Sequence, residues 1–262
     1  MRLWVAAAAA VLAVPSAEAQ GLAAYATPPR FEVKGEAGKT ERHVLEIQHG
    51  GREPGRFRIY TNDWEFQPDF SVKFSDALSP SSCRPWVALE RRELTLQPGA
   101  KHRFRFEVTP PPGTPPTECR FAVMIEGAEP AQVQQGGLGV AVSGRLAVIV
   151  YVAVGGVKPK LAVRAHAVKT VGGERLPVLT IENTGEATGR LEGFLTAKDD
   201  AGKQLELAPD DSPILPGRTR DIPLRAGSEE GKAPPAIKFP VSVKGTLEWD
   251  KQREALDLRF GP

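Results

Sequence analysis

Between Leu138 and Val154 every even-numbered position except Gly144 carries a large aliphatic residue, while most odd positions are small or polar. Period-two patterning of this kind is that of a β-strand with one apolar face. At about 3.3 Å per residue the run would extend roughly 55 Å, where an ordinary strand has about 5–6 residues. A single compact sandwich cannot cover such a strand, so part of it is expected to project beyond its own core. A long apolar strand left uncovered is an aggregation hazard unless it serves to pair with another chain.

The rest of the chain reads as β-structure too. Its 262 residues include 26 glycines and 24 prolines, placed between short apolar runs in the manner of turns. Strands are expected over 24–33, 42–49, 55–64, 70–74, 86–90, 101–109 and 119–127, ahead of the long run. In 101–109, Phe104, Phe106 and Val108 share one face, and Arg103, Arg105 and Glu107 the other. Within 42–49, Val44 is the first inward candidate, with Leu45 and Ile47 beside it. The polar segment 129–137 is expected to be a mobile loop. About seven strands in this length fit an immunoglobulin-like sandwich. Gly155-Gly156 marks a boundary, and strands at 161–168, 176–182, 189–197, 204–207, 220–224, 240–249 and 254–260 predict a second, smaller sandwich. The expected fold class is all-β, with two immunoglobulin-like β-sandwich domains over 20–154 and 155–262.

Arg2, the apolar run Val5 to Val14 and the Ala17-Glu-Ala19 site read as a cleaved secretory signal over 1–19, too short to span a bilayer. The expected location is therefore the periplasm. A formal charge of +2 gives neither a nucleic-acid footprint nor an acidic tail. In an oxidising compartment, Cys83 and Cys119 read as one disulfide, the alternative being two buried free thiols. Neither has a histidine at zinc-ligand spacing, so no metal site is expected.

Catalytic signatures are missing from the sequence. It has no G-x-S-x-G elbow, Walker loop, H-E-x-x-H or dinucleotide fingerprint. His43 and His102 have polar neighbours and read as surface residues, and His49 falls at a turn. Asp199-Asp200 and Asp210-Asp211 read as solvated turn carboxylates. The expectation is a protein that is not an enzyme, with no cofactor and no small-molecule substrate.

The order of these features carries a resemblance. A signal peptide precedes a sandwich that opens with Pro29-Arg30-Phe31-Glu32-Val33 and includes Cys83-Arg-Pro-Trp86-Val and Leu94-Thr-Leu-Gln-Pro-Gly99. An overlong alternating strand and a second sandwich follow. This resembles the PapD-like family of periplasmic pilus chaperones. The resemblance implies binding of pilin subunits by donor-strand complementation and delivery to an outer-membrane usher. Leu138, Val140 and Val142 match the donor positions; the other reading is that they fill this chain's own core, as is expected of Leu146, Val148 and Val150. A self-capping dimer is compatible with an uncovered edge.

The family also holds a subunit's terminal carboxylate with two cations. Arg30 matches the first; otherwise it is an exposed strand arginine paired with Glu32. The second, a lysine, falls on Ala147, and the nearest cation of the same parity is Arg145, with Lys158 or Lys160 as further candidates. The competing function is a secreted structural or adhesive sandwich protein, for which Val140→Glu would damage folding itself. A carbohydrate-binding module is a third reading, but the row of exposed aromatics it needs is not evident in the sequence.

Overall fold

The computed structural model describes residues 23–67, 71–80, 82–135, 138–228 and 233–261, with backbone alone for 131–141. The proposed signal at 1–19 lies outside the described residues. The described residues form nineteen strands and no α-helix, so the chain is all-β.

The first half comprises strands Ala24–Thr27 (β1), Arg30–Gly35 (β2), Glu41–His49 (β3), Gly55–Phe66 (β4), Val72–Ser75 (β5), Val87–Leu89 (β6), Glu93–Leu96 (β7), Lys101–Val108 (β8), Thr117–Gly127 (β9), Ala131–Gln135 (β10), Leu138–Val142 (β11) and Arg145–Val154 (β12). One sheet runs β1-β3-β8-β6. The facing sheet runs β2-β12-β9-β4-β5, with β7 also on β4. At Pro28-Pro29 the chain leaves the first sheet for the second, where β2 pairs parallel to β12.

The inner faces meet as period two requires. Leu45, Ile47, Phe104 and Phe106 pack toward Phe57, Ile59, Phe121, Val123, Ile125, Val148, Val150 and Val152. Cys83 and Cys119 form a disulfide in this core, as the oxidising compartment suggested. The adjoining loop is held by Asp63, whose carboxylate accepts from the Ser79 N–H (2.8 Å) and the Ser82 hydroxyl (2.6 Å).

Four expectations for the first half need correction. The run 138–154 is not one strand: it divides at Ser143-Gly144 into β11 and β12. Residues 131–135, read as a loop, form β10, which pairs antiparallel with β11. In β3 the inward positions are His43, Leu45, Ile47 and His49, while Val44 faces out. His43 is therefore no surface histidine: its ring lies 5.5 Å from Phe31 and 5.2 Å from Phe106. Burial lowers its pKa.

The second half is a seven-stranded antiparallel sheet. Its strands are Leu161–Val171 (β13), Glu174–Asn183 (β14), Leu195–Lys198 (β15), Gln204–Pro209 (β16), Thr219–Ala226 (β17), Val241–Trp249 (β18) and Gln252–Phe260 (β19). They run in the order β13-β14-β17-β16-β15-β18-β19. The sheet curls around its own core of Leu179, Ile181, Leu195, Leu207, Ile222, Leu224, Val243, Leu247 and Phe260. His166 on β13 meets Phe260 on β19 at 5.2 Å, joining the sheet's two ends. The segment expected as a strand at 189–197 is strand only from Leu195; earlier it forms isolated bridges at Gly189 and Glu192.

Candidate functional site

Two places gather the residues singled out by the sequence. The first is the β10–β11 ribbon. Its register pairs Val133 with Val140 and Gln135 with Leu138. Among the described residues it is hydrogen-bonded to neither large sheet. Leu138, Val140 and Val142 lie at alternate positions of β11. Val142 is 42% exposed, whereas Val150, eight residues on in the same alternating run, is fully buried. Val148 and Val150 lie in the core with Leu146 packed against it, as expected.

The second place is the outer face of the β2-β12-β9-β4 sheet, where the second half of the chain packs. Odd-numbered residues of β12 and even-numbered residues of β9 and β2 point here. Trp64, Ala122, Met124 and Tyr151 form an apolar cluster completed by Leu215 from the second half, with Ala147 and Ile149 packed against it. Ala147, where the resemblance would place a lysine, thus sits in an apolar patch that would penalise an ammonium.

Arg30 lies at the rim of this face. Its Nη1 donates to Asp211 Oδ2 at 2.6 Å, and its Nε is 3.5 Å from Glu32. The hydrogen bond to Asp211 raises the Arg30 pKa. Arg190, from the second half, shares the same carboxylates, at 3.6 Å from Glu32 and 3.5 Å from Asp211. Its Nη2 donates to the Tyr151 hydroxyl at 3.2 Å. Burial pushes the Tyr151 phenol up to about 12, against the opposing pull of Arg190, so the phenol stays neutral. Beside this cluster is a pocket of about 490 Å³, whose lining includes Arg30, Lys34, Lys158 and Arg190. Lys158 stands 4.0 Å from Asp250.

Arg30 and Arg145 are not brought together. Arg30 is in register with Ile149, four residues along β12 from Arg145, a separation of about 13 Å. Arg145 is exposed and faces Glu126 across the β9–β12 ladder. The cations that do approach the middle of this face are Arg120, Arg190 and Arg220. Sequence reasoning missed all three. Arg120 was within reach, since it alternates with the inward Cys119 and Phe121; Arg190 and Arg220 lie in the other half of the chain.

A further contact ties the halves together. The half-buried Glu118 carboxylate accepts from the Thr188 N–H (2.7 Å) and the Thr188 hydroxyl.

No protein-family model matches the chain, and no curated protein does. Solved structures similar to it include the CsuC–CsuE chaperone–tip adhesion subunit complex of the archaic Csu pili of Acinetobacter baumannii (13% identity over 91% of this chain and 99% of that one, TM-score 0.45). The Pseudomonas aeruginosa CupB2 chaperone is 11% identical over 90% of this chain and 100% of that one (TM-score 0.46). The E. coli chaperone DraB is 14% identical over 93% of this chain and 99% of that one (TM-score 0.45).

Proposed function

We propose that the mature chain, with domains over 20–154 and 155–262, is a periplasmic chaperone. In this reading it binds pilus or fimbrial subunits by donor-strand complementation and hands them to an outer-membrane usher. The observation that carries the reading is the β10–β11 ribbon, whose β11 strand pairs only with β10 among the described residues. A strand with one unbonded edge can extend the sheet of another chain, main-chain hydrogen bonds giving affinity and alternate side chains giving register. Leu138, Val140 and Val142 are the donor side chains. Burying each in a subunit groove contributes roughly 1.5–3 kcal/mol before ordering costs. The same edge can pair with a second copy, which is the proposed self-capping dimer.

Arg30 is the proposed first anchor for the subunit's terminal carboxylate, which would replace Asp211 in a charge-assisted pair. Arg145, about 13 Å along the strand, would hold a different part of the subunit rather than the same carboxylate.

The test is capture of partners from periplasm by tagged mature chain, with Val140→Glu and Arg30→Ala alongside and each variant's fold checked by circular dichroism. A stoichiometric small β-rich partner that is lost in both folded variants supports the chaperone reading. No partner, or an unfolded Val140→Glu, supports the secreted structural or adhesive protein instead.

A further inference from the structure

Where the tip of β4 meets β17 lies a pocket of about 600 Å³, lined by Phe66, Arg120, Pro213, Leu215, Arg218 and Arg220, with Glu65 and Asp221 as its carboxylates. It shares no lining residue with the pocket beside Arg30. The Arg120 guanidinium carbon stands 5.2 Å from the Trp64 ring centroid, and that of Arg220 stands 4.7 Å from Phe66. The two rings meet edge to face at 5.1 Å, so two guanidinium groups rest on adjoining aromatic shelves. Arg220 is oriented by donating Nη1 to the Pro213 carbonyl at 3.0 Å. Arg120 is different. Its Nε is buried without a hydrogen-bond partner, and among the described residues no carboxylate lies within ion-pair distance of it. A half-buried guanidinium held on an indole face with its Nε unpaired is costly unless the group finds an acceptor.

Asp221 does not answer that need, because it already accepts from Lys169 and from the Thr180 hydroxyl (2.7 Å). Among the described lining residues three arginines stand against two carboxylates, Glu65 and Asp221, while Phe66, Pro213 and Leu215 make one wall apolar. A volume near 600 Å³ with a few convergent polar groups on an apolar wall suits a small organic ligand.

We infer that this pocket binds an organic carboxylate carried on a short apolar stem, with Arg120 and Arg220 on the carboxylate and Phe66 and Leu215 against the stem. The inference stands whether or not the chaperone reading does, and it departs from the sequence-based expectation of no small-molecule partner.

The experiment is calorimetric titration of the mature chain with hexanoate and, in a separate arm, with inorganic phosphate. Arg120→Gln, Arg220→Gln and the distant surface change Arg103→Gln are run alongside. Hexanoate should bind at least about tenfold more tightly than phosphate. Each pocket variant should weaken it about tenfold or more, as expected for loss of a charge-assisted bond, and Arg103→Gln should leave it unchanged. Should the pocket variants fail to fold, the Trp64 indole N–H resonance of the unaltered chain replaces them, and it should move on hexanoate addition. No hexanoate binding, binding that both folded pocket variants retain, preference for phosphate, or an unmoved Trp64 resonance would each overturn the assignment.

Discussion

Glu118 and Thr188, seventy positions apart, join the two halves of the chain through one carboxylate that accepts from both the N–H and the hydroxyl of the threonine. Burial raises the Glu118 pKa, and the Thr188 bonds only partly oppose it. The folded chain therefore holds this proton more tightly than the unfolded chain. The stability that Glu118 contributes is fully present below the ordinary glutamate pKa of about 4.3 and is lost as pH rises through the folded value. Thermal melts from pH 4 to 7 should show this decline, and Glu118→Gln should remove that step. A Glu118→Gln profile identical to the parent's would rule out this account.

The disulfide should matter more than any surface contact. Cys83 and Cys119 are 36 residues apart, and closing a loop of that length restricts the unfolded chain by about 4 kcal/mol in the chain-entropy model. The double Cys83→Ser, Cys119→Ser variant should lose about 2–4 kcal/mol in urea titration.

Two valines from one alternating run should behave oppositely. Val150→Ala removes methyl groups from a fully buried site and should cost about 2 kcal/mol. Val142→Ala, at a site 42% exposed on the ribbon, should stay within about 0.5 kcal/mol. Equal losses in denaturant titrations would show that the ribbon belongs to the core.

Asn183 is buried at the end of β14. Its side-chain oxygen accepts from the N–H groups of Lys160 (3.1 Å) and Gly185 (2.9 Å), and its amide donates to the carbonyls of Ala187 and Ile214 at 2.8 Å. Asn183→Ala leaves four backbone groups without this partner and should cost more than about 3 kcal/mol. A loss below about 1 kcal/mol would mean that the segment finds other partners.

Arg30→Ala should change stability by less than about 1 kcal/mol, because the Arg30–Asp211 pair is largely solvent-exposed. A larger loss in a melting experiment would make Arg30 a structural residue and weaken its use as a probe of partner capture.

Much of this fold could be read from local pattern, because strand alternation is a property of neighbouring residues. The aliphatic face of 146–154, the Phe104–Val108 face and most strands after Gly156 are of that kind. Pattern failed where both faces were mixed. In β3, Val44 looked inward, yet His43 turned in, because Phe31 from β2 supplies a ring for it to pack against. Residues 131–135 are mostly polar, and what shows as strand there is backbone pairing with β11. The charged residues at the junction were harder still. Arg30 finds Asp211 across 181 positions, and Arg120 is set over Trp64 in a pocket closed by Pro213 and Leu215. The sequence by itself determined which residues could be strand and which two cysteines could pair. Only the packing of the second half onto the outer face of the first sheet decided which exposed-looking charges became half-buried, because desolvation depends on what distant part of the chain excludes the water.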